Sequence, residues 1–184
     1  MNESIAKAED KMKKSLASLR DDFNAIRTGR ASASLFDKIR VDYYGQKTPL
    51  NQVATISVPE ARLVVIQPWD KAVLSEVEKA IQTSDLSVNP NNDGKVIRIN
   101  FPPLTEERRK EFVKHAKNLA EQCRVAIRNV RREANEDLKK QQKSGDLSED
   151  EEKRLQEEIQ KLTDGYVEQV NKVLDEKEKE IMEI

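Results

Sequence analysis

The 184-residue sequence predicts an α+β protein: an elongated antiparallel three-helix bundle made from both ends of the chain, with a small α+β domain inserted between them. Two observations carry that expectation. Three segments repeat apolar residues at helical spacing, and a middle stretch rich in β-branched residues holds all six prolines. Composition agrees: 36% of residues are charged and only 4% aromatic, which suits long, solvent-washed helices better than a thick globular core.

The first helical segment covers residues 1–28. Met12, Leu16, Leu19, Phe23 and Ile26 follow alternating steps of four and three, the seam of a coiled coil or bundle, and Thr28-Gly29 punctuates its end. The second runs from 105 to about 143. Pro102-Pro103 block any helix upstream, Thr105 can cap the start, and Glu106-Glu107 favour the positive end of the helix dipole. Its apolar stripe passes through Phe112, Ala116, Leu119, Cys123, Ala126 or Ile127, Val130, Ala134 and Leu138. A helix of that length spans about 58 Å. The third opens at Ser148 with a capping box, Ser148-Glu149-Asp150-Glu151. Its stripe runs from Leu155 through Tyr166 to Ile184, with Lys177 as a polar interruption. The short turn between the second and third helices makes them antiparallel, and the first helix covers the surface that such a hairpin leaves open.

Residues 31–104 read differently. Val41 to Tyr44, Val53 to Val58, Leu63 to Ile66 and Val96 to Ile99 supply short β-type runs, while Asp70 to Thr83 has helical spacing. Tyr44 to Pro49 is expected to connect a hairpin, and Asn89 to Gly94 to form a turn before the last strand. The bundle is thus expected from 1–30 and 105–184 and the inserted domain from 31–104, with a hinge near 29–31 (Gly29, Ala31) and 101–104 (Pro102, Pro103).

Several chemistries are excluded early. One cysteine, Cys123, leaves no internal disulfide framework and no cysteine zinc site, and one histidine, His115, removes most nucleophile–base pairs. Cys123 lies on an apolar stripe and reads as an inert buried thiol. No two glycines are closer than 16 residues, so no glycine-rich phosphate loop exists. Asp21-Asp22 and the acidic third helix are explained as solvated helix faces, and Trp69 as a domain-packing residue. The longest apolar run, Leu63 to Ile66, is far short of a membrane span, and no apolar leader is visible, so a cytoplasmic protein without membrane partner or cofactor is expected.

Net charge is −1, but the charges are not mixed evenly. By count, residues 1–30 carry +2, 31–104 are balanced, 105–143 carry +5 and 144–184 carry −8. On a helical wheel of the second helix, Lys110, Lys114, Lys117, Arg124, Arg128, Arg131, Arg132 and Lys139 fall within roughly 100° of arc, almost opposite the apolar stripe. Guanidinium groups grip phosphate oxygens in bidentate fashion, so the row is a candidate phosphate-binding ladder. The competing explanation is a solvated face, with Glu121 inside the ladder and Glu133 and Glu136 able to pair with its arginines. Scarce aromatics argue against base stacking and favour phosphate- and shape-directed contact with folded RNA.

Several stretches resemble bacterial ribosome recycling factor: Ile26-Arg27-Thr28-Gly29-Arg30-Ala31-Ser32, Val41-Asp42-Tyr43-Tyr44-Gly45, Pro102 to Lys110, and Val125 to Asn135. Glu78-Lys79-Ala80-Ile81, Ser84-Asp85-Leu86 and Leu162-Thr163-Asp164 agree, so the resemblance runs the whole length in order. It implies an L-shaped, tRNA-like arrangement of bundle and β/α/β domain. It further implies a monomeric, non-enzymatic factor that binds the 70S ribosome and 50S subunit after termination and, with elongation factor G and GTP, splits the ribosome into subunits. The residues it points to for large-subunit rRNA are Arg128 and Arg131, then Arg109 and Arg132, with Arg27 and Arg30 after them; Arg124 joins from the ladder. The rival expectation is a coiled-coil structural or chaperone-like protein that uses its seam to bind another helix or its own copy.

Overall fold

A computed structural model describes residues 2–183; Met1 and Ile184, which the periodicity adds to the first and third bundle helices, lie outside the described residues. In chain order the elements are α1 (Glu3–Asn24), β1 (Arg40–Tyr43), β2 (Gln46–Pro49), β3 (Ala54–Glu60), β4 (Leu63–Pro68), α2 (Leu74–Gln82), β5 (Asn91–Asn92), β6 (Ile97–Asn100), α3 (Glu106–Lys143) and α4 (Glu149–Met182). The fold is α+β, with long helices and a small β-rich part. Two compact units result, one from residues 1–23 and 113–179, the other from 24–112 and 180–184.

The first unit is a bundle whose helix directions can be read from its polar ties. Ser4 meets Gln141, Lys11 meets Glu133 and Ser15 meets Cys123, so α1 runs antiparallel to α3. Lys117 faces Glu178, Arg124 faces Asn171 and Arg131 faces Gln160, so α3 runs antiparallel to α4. The seam is fully closed at Met12, Ala116, Ala120, Ile127, Leu138, Ile159 and Val170. Three alanines on the α3 seam (Ala116, Ala120, Ala134) leave little side chain between it and its neighbours. The expected stripe of α4 is shifted slightly: Leu174 is buried where Val173 is half-buried, and Lys177 and Thr163 are buried among it. Thr163 can lie there because its hydroxyl donates to the Ile159 carbonyl at 2.7 Å.

Local capping signals hold. Thr105 Oγ1 accepts the N–H of Arg108 at the start of α3. At α4 both halves of the capping box form, Glu151 N–H to Ser148 Oγ and Ser148 N–H to Glu151 Oε2. α1, by contrast, ends at Asn24 rather than near Thr28. Ile26 stays buried although it is past the helix, and Thr28 Oγ1 bonds the backbone of Arg30, which holds a turn where the helix would have continued.

The second unit has a β1–β2 hairpin and a four-stranded antiparallel sheet ordered β3-β4-β6-β5. Inward residues of β4 and β6 pair directly, Val64 with Ile99 and Ile66 with Ile97, and all four are fully buried. Leu74, Val77 and Ile81 of α2 complete that core with Phe36, Val41 and Leu50. Asp70 starts the turn that leads into α2 by accepting the Ala72 N–H at 2.9 Å.

Three expectations need correction here. The hairpin connection is only Tyr44-Gly45, both with positive φ (50° and 86°), and Gln46–Pro49 is its second strand. Such a two-residue turn matches strand twist, and glycine meets its geometry without strain. Part of the expected Asn89–Gly94 turn is strand β5, because Asn91 and Asn92 pair with Arg98 and Ile97. Trp69 does not pack in a core: it is 65% exposed, with its indole N–H on Thr55 Oγ1 at 2.7 Å.

A candidate RNA-binding face on the bundle

α3 has two flanks and an open crest. Glu133 turns to α1, where its carboxylate holds Lys11 Nζ at 2.9 Å, so it is not a partner of the ladder arginines as the helix spacing allowed. The Lys11 ammonium beside it holds that carboxyl below the usual range. The opposite flank faces α4, and two of the candidate arginines, Arg124 and Arg131, reach that helix.

Arg124 is largely enclosed, with its side chain 17% exposed. Its Nε donates to Asn171 Oδ1 at 2.9 Å and its Nη1 to Glu121 Oε2 at 2.8 Å. Arg128, one turn further and 41% exposed, donates to the other oxygen of the same carboxylate at 3.3 Å. Both arginines hold the Glu121 carboxyl below its ordinary range through those hydrogen bonds. Arg131 donates to Gln160 Oε1 at 3.4 Å, and Gln160 in turn donates to Asp164. Arg132 is exposed and makes no hydrogen bond or ion pair among the described residues. Of the ladder lysines, Lys110 pairs with Glu106 at 3.4 Å and Lys117 with Glu178 at 3.9 Å, while Lys114 and Lys139 are exposed.

Asn171 and Gln160 are the residues that sequence reasoning missed. A neutral amide fixes the direction of a guanidinium without cancelling its charge; this holds for Arg131 on Gln160, whereas Arg124 is aimed by Asn171 and also paired with the Glu121 carboxylate. A wheel of α3 cannot find them, since they stand on another helix.

The remaining candidates belong to the second unit and are engaged differently. Arg27 donates to the Pro102 carbonyl, and its guanidinium lies 5.1 Å from the centre of the Phe101 ring. Burial lowers its pKa, and the neighbouring cations Arg108 and Arg62 lower it further. Arg109 reaches the Met182 carbonyl at the end of α4 (3.5 Å), while its Nε is enclosed without a partner. Arg30 is exposed, with only its backbone engaged by Thr28.

The expected hinge positions are also tied within this unit. A Cβ on Gly29 would sit 2.9 Å from the Glu183 carbonyl oxygen, so close backbone approach requires glycine there. Ala31 N–H donates to Ala61 O at 2.7 Å, and Phe101 N–H to Arg62 O at 2.8 Å. Pro102 contributes its carbonyl to Arg27, and Pro103 is exposed.

Nothing else in the described residues competes as a site. No group of three or more His, Cys, Asp or Glu could hold a metal ion, and no helix is long and apolar enough to cross a membrane. Cys123 is buried, its thiol pushed up by desolvation and its Sγ 3.5 Å from Ser15 O, which fits an inert packing role. His115 is exposed.

The described residues thus define a class of α+β protein with a three-helix bundle and a β-rich unit, the bundle carrying a row of cations on one helix. The chain belongs to the ribosome recycling factor family, whose family model matches residues 19–182. It is similar to the ribosome-recycling factor of Treponema denticola, 61% identical over 175 residues and 95% of both chains. That of Caldicellulosiruptor bescii is 58% identical over 184 residues, the full length of both. Among solved structures, a solution structure of the ribosome recycling factor matches with a TM-score of 0.80 at 46% identity, over 98% of this chain and 96% of that one. The T. thermophilus factor, described together with E. coli elongation factor G on the E. coli post-termination complex, matches at 0.67 and 48%, over 98% and 97%.

Proposed function

We propose that this chain recycles ribosomes: it binds the post-termination 70S ribosome through large-subunit rRNA and, with elongation factor G and GTP, promotes dissociation into subunits. The observation that carries this reading is the row of arginines on α3, in which amides of α4 orient Arg124 and Arg131 and Arg132 stands open to solvent. Phosphate oxygens are the ligand that such a row of guanidinium groups fits best. Family membership and the relative described with elongation factor G support the same reading.

In this reading the bundle face docks on rRNA, with Arg128, Arg131 and Arg132 as its main contacts and Arg124 beside them. For the inserted domain, residues 31–104, to move against the bundle of 1–30 and 105–184, bending at the connectors around Gly29, Ala31, Pro102 and Pro103 has to release the ties that Arg27 and Ala31 make there. The factor acts as a monomer in the cytoplasm, with no catalytic residue or cofactor of its own; hydrolysis of GTP belongs to its partner. A seam closed at Met12, Ile127 and Ile159 leaves no apolar stripe there for a foreign helix, which weighs against the coiled-coil or chaperone alternative.

The test is splitting of purified post-termination complexes, with and without the protein, at fixed elongation factor G and GTP. Subunits are expected only when both factors are present. Intact 70S particles in every arm, with no co-sedimentation of the protein, would remove the proposal. A crosslink joining the inserted domain to the bundle is expected to stop splitting while leaving binding; splitting at full rate would make bending unnecessary.

A further inference from the structure

Glu121 sits where a nucleic-acid ligand is expected. Its two carboxylate oxygens are shared between two guanidinium groups, Oε2 with Arg124 at 2.8 Å and Oε1 with Arg128 at 3.3 Å. A backbone phosphate presents the same feature, two anionic oxygens able to bridge neighbouring arginines. We propose that Arg124 and Arg128 form a seat for one RNA backbone phosphate, that Glu121 fills this seat in the free protein, and that the rRNA phosphate must displace it. The inference rests on the rRNA-binding reading given above.

Three features make the seat more than a helix-surface ion pair. Arg124 keeps a second hold, its Nε on Asn171, so its guanidinium stays in place once the carboxylate leaves. Arg128 has no partner besides Glu121 among the described residues, so it is freed entirely by the exchange. Glu121 itself is exposed and can swing into water, while the incoming phosphate takes over the mostly enclosed Arg124. The exchange therefore replaces one anion by another on a pre-aimed pair. Its effect is to weaken docking and to speed release, because the internal carboxylate recaptures the arginines as the phosphate departs. A factor that must leave the subunit after each cycle gains turnover from such a competitor.

The measurement is affinity for isolated 50S subunits across a salt titration, comparing Glu121→Gln with Glu168→Gln, an exposed α4 position that changes net charge equally. Glu121→Gln is expected to bind about three- to fivefold tighter than the Glu168→Gln control at low salt, with slower dissociation. The excess should vanish in a background carrying Arg124→Ala and Arg128→Ala. Equal or weaker binding by Glu121→Gln would overturn the proposal and make Glu121 an organiser of the arginines. If Arg128→Ala and Arg132→Ala leave 50S affinity and its salt slope untouched, the rRNA reading itself fails, and the seat falls with it.

Discussion

The arginines of the bundle and those around Phe101–Pro103 carry the same charge and answer to the same wheel or motif logic, yet they are held differently. On the bundle, Arg124 and Arg131 are steered by neutral amides, and Arg132 is left open. In the second unit Arg27 grips a backbone carbonyl and an aromatic ring, and Arg109 grips the last turn of α4. Arg132 is open to solvent and Arg124 and Arg128 share the Glu121 carboxylate, while Arg27 and Arg109 are engaged by backbone carbonyls of their own unit. The acceptors are alike, since Asn171 Oδ1, Gln160 Oε1 and the Pro102 and Met182 carbonyls are all neutral amide oxygens; what sets Arg27 apart is its added contact with the Phe101 ring, and Arg109 its enclosed Nε.

The largest effect expected from that contrast is on stability. Arg27→Ala removes a charged hydrogen bond and a cation–π contact, and it should lower the unfolding free energy by ~2 kcal/mol in a urea titration. An unchanged midpoint with impaired ribosome binding would place Arg27 with the bundle arginines. Next comes Arg132→Ala, expected to leave the melting curve in place and to weaken 50S binding about tenfold at low salt, with a salt slope smaller by about one. Loss of stability there would mean that its charge is used internally after all. Arg109→Ala should cost about 1 kcal/mol by uncovering the C-terminal carbonyls of α4. Its 50S affinity should fall less than that of Arg132→Ala, and a larger fall would return Arg109 to the rRNA face.

The smallest effect concerns an acid whose charge is held mainly by backbone. Asp93 is depressed from 3.8 to about 2, first by the N–H groups of Val96 and Lys95 and then by Arg98. Its folded value lies below the unfolded one, so its contribution to stability is complete above pH 4 and is lost as pH falls through about 2. A carboxyl-detected NMR titration should place Asp93 near that value. Arg98→Ala should leave it well below the ordinary aspartate range, because the backbone donors remain; a return to the ordinary value would show that the arginine dominates.

What the sequence revealed follows the range of each interaction. The Ser148–Glu151 capping box and the Thr105 cap were legible because both partners lie within one helical turn. The seams were legible because packing repeats with the helix period. Helix α1 was read four residues too long, since Ile26 keeps the apolar rhythm after the backbone has left the helix. Trp69 was misread because its exposure is decided by the register of β3 on β4 and by Thr55, not by its neighbours in sequence. For the candidate site, the row of arginines could be placed on one arc from α3 alone. How two of them are held depends on Asn171 and Gln160, contributed by α4, and the partners of Arg27 and Arg109, Pro102 and Met182, likewise lie far off in sequence.

The meeting of Gly29 with Glu183 has a consequence in time as well as in space. Chains emerge from synthesis N-terminus first, and a unit can close only when all of its segments exist. The β-rich unit draws on residues 24–112 and also on 180–184, which are made after the whole of α3 and most of α4. Its sheet and α2 can form early, but the contacts at Gly29 and Arg109 must wait for the end of α4. A nascent chain stalled before residue 180 would therefore carry a folded sheet beside an unlatched connector, open to proteases at Gly29.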